Sequence, residues 1–139
     1  MKVVIDANVF ISAAIQVGPS HRIVREWLDN GSFEIVMCKQ LLDEINDVLT
    51  LRDRLRKWIS LEHAHEFLEV ISTLIELEND PIDPPSMLRD RDDDFLVDLA
   101  RSHHVDFIVS GDNDLLEWVE QRPPVLSPSQ FATMLRLNP

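Results

Sequence analysis

An α/β fold, built on a central parallel sheet with helices on both faces, is what this sequence predicts, and three observations predict it. Short apolar runs alternate along the chain with amphipathic stretches of helical period. Two of those runs, Val3-Val4-Ile5 and Phe107-Ile108-Val109, are compact, β-branched or aromatic, and without helical period, as fully buried parallel strands are. Both lead into acids, Asp6 in the first case and Asp112 and Asp114, after the turn at Gly111, in the second. The carboxyl end of a strand is where open α/β sheets bind ligands. If the two strands lie side by side, Asp6, Asp112 and Asp114 meet in one crevice, and such a group calls for a divalent cation.

With 139 residues and 45% hydrophobic content, the chain suffices for one domain, residues 1–139, with a real core. Its one cysteine, Cys38, has no partner for an internal disulfide and reads as a small buried hydrophobe in a reducing compartment, the cytoplasm by default. Met1 to Asp6 meets an acid after three apolar residues, so it is neither a signal peptide nor a membrane span. No later apolar run approaches the roughly 18 residues a span requires.

Taken in order, the strand Val3–Ile5 is followed by a helix from Asp6-Ala7-Asn8 towards Ile15, broken by Gly18-Pro19. Ser20 suits an N-cap for the next helix, whose stripe is Ile23, Val24, Trp27 and Leu28 and which stops at Asn30-Gly31. Glu34 to Cys38 reads as one short strand. It leads to a helix with Leu41, Leu42, Ile45, Val48 and Leu49 on its apolar side and Glu44 near its start. Leu51 to Ile59 is charged and amphipathic, a short helix, and Ser60 can cap another carrying Ala64, Phe67, Leu68, Ile71, Leu74 and Ile75. These two form a helical hairpin beside the sheet, and Ile75-Glu76-Leu77 can become a strand at its exit.

Pro81, Pro84 and Pro85 keep the next segment out of helix and central strand alike. Asp90, Asp92, Asp93 and Asp94 then precede the stripe Phe95, Leu96, Leu99 and Ala100. One or two acids satisfy the amides and dipole of a helix start. Four in five positions exceed that need, so at least one is a candidate metal ligand. After the strand Phe107–Val109 a helix runs through Leu115, Leu116 and Val119. A short strand Val125-Leu126 follows. Ser127 as cap and Pro128 at the first helical position then open a last helix with Phe131, Met134 and Leu135 as its core face.

The net charge of −12 opposes strong non-specific binding to nucleic acid, unless a bound cation reverses the field where the acids cluster. Arg52, Arg54, Arg56 and Lys57 are the one bunch of basic residues, suited to a phosphate backbone or to a plain solvated face. The five histidines form no spaced ligand set with the acids and read as surface or capping residues. Trp27, Trp58 and Trp118 lie in amphipathic stretches and read as packing residues rather than base-stacking ones.

Asp6, Glu44, Asp93 and Asp112 all fall at strand ends or in first helical turns, which share one edge of a right-handed parallel sheet. Oxygen ligands without a Cys or His pair favour Mg²⁺ or Mn²⁺ over zinc, and such an ion can activate water and stabilise charge developing on a phosphate. Phosphodiester hydrolysis suits this best. A phosphatase would want an Asp-x-Asp pair where this chain has Asp6-Ala7-Asn8. A response-regulator receiver would want a late Lys, and none follows Lys57. A non-catalytic, metal-stabilised module for protein interaction is the alternative outside the enzymes.

Four segments carry a family resemblance: Val4-Ile5-Asp6-Ala7-Asn8-Val9, Leu42-Asp43-Glu44-Ile45, Arg89 to Leu96 with Ala100, and Ile108 to Leu116. Together, over residues 2 to about 117, the chain resembles PIN-domain proteins, nearest the branch regarded as toxins of toxin–antitoxin pairs. The resemblance implies a flap-endonuclease-like α/β/α sandwich and a Mg²⁺- or Mn²⁺-dependent endoribonuclease, with RNA as substrate and an antitoxin protein as partner. It places the family's acids on Asp6, Glu44, Asp93 and Asp112, with Asp114 as an additional acid. Asn8 and Ser110 take its small polar positions. A small residue seven positions after the third acid, here Ala100, selects Asp93 over Asp94, which is turned about 100° away on a helix. A homodimer is expected from the resemblance and from the apolar surplus of residues 52–75. Carboxylate oxygens of the four acids are expected roughly 4–8 Å apart, with repulsion raising at least one pKa.

Overall fold

The computed structural model describes residues 1–137; Asn138 and Pro139 of the expected domain lie outside it. Four parallel strands form the sheet in the order β2-β1-β5-β6: β1 is Lys2–Ile5, β2 Glu34–Ile35, β5 Phe107–Val109 and β6 Val125–Leu126. Val3, Val4 and Ile5 pair in register with Phe107, Ile108 and Val109, which sets the ends of β1 and β5 side by side at one edge. These two central strands are closed to solvent on both faces, with Val3, Val4, Ile5, Ile108 and Val109 each 0% exposed, because helices cover both sides. The architecture is the expected three-layer α/β/α sandwich.

The helices are α1 Ala7–Ile15, α2 Pro19–Asn30, α3 Lys39–Leu51, α4 Leu61–Leu74, α5 Arg91–Ser102, α6 Asn113–Leu116 and α7 Pro128–Met134. Helix α5 packs on β1 and β5, α1 lies between α2 and α3, and α2 meets α7. Of the described helices none is long and apolar enough to cross a membrane.

Several boundaries differ from the sequence expectation, each for a local reason. The strand expected over 34–38 divides. Val36 still donates to the Val3 carbonyl (2.9 Å), but β3, Met37–Cys38, turns away and pairs with β4, Leu77–Glu78, as a separate parallel pair. Strand β4 starts two residues later than expected because Ile75 remains tied to α4 through its N–H and the Ile71 carbonyl. Helix α2 begins at Pro19 with Gly18 as cap, so Ser20 is inside the helix and buried; proline at the first position lacks only an N–H that has no helical partner. Residues 53–57 form a 3₁₀ helix rather than an α-helix. Helix α6 ends at Leu116, leaving Val119 95% exposed, and on α7 Phe131 and Ala132, not Met134, face the core. Cys38 is a buried free thiol, as expected, and its burial pushes its pKa up to about 11.

Candidate metal centre

Where β1 and β5 end, Asp6 N–H donates to the Val109 carbonyl (2.9 Å), so the sheet ladder itself fixes the first acid against the second strand. Asp6 is the N-cap of α1, accepting from the Asn8 amide at 3.4 Å; Asn8 contributes this N–H while its side chain is exposed. Ser110, fully buried, connects the two strand ends. Its hydroxyl donates to Asp6 Oδ2 (2.7 Å) and accepts from the Asp112 amide (3.0 Å). Asp112 in turn caps α6 through the Asp114 amide (2.9 Å). The turn therefore rests on Ser110 and Asp112. Gly111 is not in the left-handed region and nothing stands within 4 Å of where its Cβ would be.

Asp93 arrives from α5, which packs across β1 and β5. Oxygens of Asp93, Asp112 and Asp114 lie within 4.8 Å of one another, a group that takes in two of the four expected acids and Asp114 but neither Asp6 nor Glu44. Asp93 is 5% exposed, and its Oδ2 has no hydrogen-bond partner among the described residues. It does not cap its helix: Asp90 is the N-cap of α5 and accepts from the Asp92 amide (2.9 Å). Burial pushes the Asp93 carboxyl up to about 7, with the facing Asp112 carboxylate adding to the shift and Asp90 and Asp6 contributing less. Burial also raises Asp6, against the hydrogen bonds from Ser110 and Asn8 that favour its ionised form, with Asp112 repulsion on the raising side.

Glu44 occupies the second turn of α3, not the first, because the helix starts at Lys39 directly after β3. Its pKa is raised by partial desolvation and then by Asp6, Asp92 and Asp90, with Arg52 opposing, so Glu44 belongs to the same electrostatic neighbourhood on its exposed side. The start of α3 is held by Asp80, whose carboxylate accepts from the Gln40 amide (2.9 Å). No sequence signal marked Asp80, since it lies beyond β4, 40 residues away.

Asp94 is turned away from the cluster. It is 0% exposed, and its Oδ1 accepts from the amides of Met87 (2.9 Å) and Leu88 (2.7 Å), with Arg91 Nη1 3.6 Å from Oδ2. Two adjacent acids thus face opposite ways, one towards Asp112 and Asp114 and one clamping the proline-rich segment to α5. The cluster is rich in carboxylate oxygen, has one buried oxygen without a donor and excess negative charge, and fits a hard divalent cation on all three grounds.

Similar folds include a chain in the crystal structure of VapBC2 from Rickettsia felis bound to a DNA fragment from their promoter (TM-score 0.65, 9% identity, covering 91% of this chain and 98% of that one). PAE2754 from Pyrobaculum aerophilum is similar as well (TM-score 0.67, 15% identity, 98% of this chain and 90% of that one). At these identities the likeness is one of fold. No curated protein sequence matches the chain. A family profile, described as PIN domain, matches residues 2–114. That match starts in β1 and runs to Asp114, so it takes in all the acids gathered at this sheet edge, and the chain belongs to the PIN domain family.

Proposed function

We propose that this protein is a metal-dependent endoribonuclease and the toxin of a toxin–antitoxin pair, with Asp6, Glu44, Asp93 and Asp112 as the catalytic acids that hold Mg²⁺ or Mn²⁺. Asp114 is a further ligand, and Ser110 and Asn8 hold the Asp6 carboxylate in place by donating to it. The observation that carries this reading is the meeting of Asp93, Asp112 and Asp114 oxygens within 4.8 Å, with one oxygen of the buried Asp93 lacking a donor among the described residues. Bound there, the cation would supply activation of water and stabilisation of charge developing on the scissile phosphate.

The chain's own residues do the rest. Ser110 keeps Asp6 and Asp112 at fixed separation and orients Asp6 Oδ2 by donating to it. Asp93, near 7 in the metal-free protein, is the group that gives up its proton as a cation binds near neutral pH. Glu44, on the exposed side, can accept a proton from water entering with the substrate, since its raised pKa makes it a better base than an ordinary carboxylate.

The sequence resemblance supports an antitoxin partner and cytoplasmic residence in one domain. Exposed Leu61, Val70 and Leu74 on α4 support a homodimer. Titrating Mn²⁺ into the wild type and an Asp6→Asn, Asp112→Asn double variant, while following melting temperature and cleavage of a mixed RNA pool, tests the reading. The expected result is metal-dependent stabilisation and cleavage in the wild type alone. Stabilisation without cleavage would favour a metal-stabilised interaction module.

A further inference from the structure

A cavity of about 490 Å³ opens between the carboxyl half of α1, α2, the 3₁₀ helix and the start of α4, away from the acidic cluster. It is lined by Arg25, Arg56, Lys57, His21 and His63 among its polar groups and by no carboxylate, in a chain with 25 acids against 13 Lys and Arg. Arg25 is already paired with Asp29 (3.3 Å). Arg56 is not neutralised: its Nη2 donates to the Leu49 carbonyl, whereas Nε and Nη1 are buried without an acceptor among the described residues. Buried guanidinium donors lacking a partner are costly, and since these two N–H groups are closed to solvent, an anion in the cavity would satisfy them once the Arg56 side chain turns into the space it lines. At the rim Trp58 is 61% exposed and so lies outside the core, and the Lys57 ammonium stands 5.5 Å from its ring centroid.

Arg52, the residue that precedes this 3₁₀ helix, lines one cleft with Glu44 and Asp92. Arg52 is close enough to Glu44 to oppose the rise in its pKa, and Arg56 and Lys57 follow within two turns of that segment. Along α1, Ala13 in the cavity wall lies about 10 Å from Asp6 at 1.5 Å per residue, within reach of a short single strand. Cations that track a backbone beside an exposed aromatic ring are the two components of single-strand recognition.

We infer that this cavity is a subsite for single-stranded RNA, holding a backbone phosphate between Arg56 and Lys57 while a base stacks on Trp58. The inference deepens the ribonuclease reading and rests on it. It also explains how so acidic a chain meets a polyanion: contact runs along one basic segment rather than over the whole surface.

Binding of a fluorescein-labelled RNA octamer, followed by anisotropy in EDTA so that no cleavage occurs, tests it. Trp58→Ala and Lys57→Gln, both exposed and replaceable without loss of fold, should each weaken binding about fivefold or more. Lys57→Gln should also lower the slope of log affinity against log salt by about one, which a merely structural residue would not do. Lys2→Gln, the same charge change at the start of β1, should stay within twofold of wild type. Pocket variants within twofold of wild type, or a wild type that binds no RNA, would overturn the subsite. Binding that depends on Trp58 and Lys57, with no cleavage when Mn²⁺ is added, would sink the nuclease reading and leave the subsite standing.

Discussion

Asp93 and Asp94 show how much one residue of helical rotation decides. Asp94 is a structural acceptor for two amides, so Asp94→Ala leaves buried donors unpaired and should cost about 2–4 kcal/mol in chemical denaturation. Asp93 has no amide to serve, and its charge is held against desolvation and Asp112 repulsion. Asp93→Asn should therefore leave the metal-free protein as stable as wild type or slightly more so at pH 8, while abolishing the rise in melting temperature produced by Mn²⁺. A loss of stability the size of a lost cap, about 0.5–2 kcal/mol, with Mn²⁺ binding intact, would refute the assignment. The resemblance to PIN-domain proteins points to Asp93 through the small residue seven positions on, Ala100, and Asp93 is the one of the two whose oxygens lie with those of Asp112 and Asp114. The sequence could not show what Asp94 does instead, because Met87 and Leu88 lie in a segment without period or motif.

At the scale of elements, some short-range signals are legible in the sequence and those from distant segments are not. Ser127 with Gln130 forms a capping box on α7, and Ser60 caps α4, both visible as short-range patterns. Helix α3, which carries Glu44, has Cys38 at its N-cap and no side-chain cap of its own; its cap is Asp80, brought alongside only by the pairing of β3 with β4. Asp80→Ala should destabilise the protein by about 0.5–2 kcal/mol and speed amide exchange at Gln40, whereas Asp80→Asn, which caps well, should cost less than half of that. Equal loss in both variants would mean that charge rather than the hydrogen bond matters. The division of the 34–38 strand escaped the sequence for the same reason. Ile35 to Cys38 are buried throughout, and a uniformly buried run carries no mark of where its partner changes.

For the whole molecule, the acids that converge at one sheet edge make stability and cation binding a single quantity. The fold class was legible because two buried runs ending in acids already imply neighbouring parallel strands, and β1 and β5 are indeed in register. The energetic consequence needs the three-dimensional arrangement. An acid whose folded pKa exceeds its unfolded value binds more protons folded than unfolded between the two, so stability falls as pH rises through that interval. For Asp93 the interval runs from 3.8 to about 7, and the raised Asp6 and Glu44 act with the same sign. In EDTA the melting temperature should therefore fall from about pH 5 to about pH 7, and flatten above, as the cluster's protons are lost without compensation. Saturating Mn²⁺ should reverse that slope, because the cation competes with those protons and binds better as they leave. In Asp93→Asn the EDTA slope should shrink and the Mn²⁺ effect disappear together. A wild-type melting temperature that rises with pH in EDTA would show that the carboxylates at the ends of β1 and β5 do not repel one another in the folded protein.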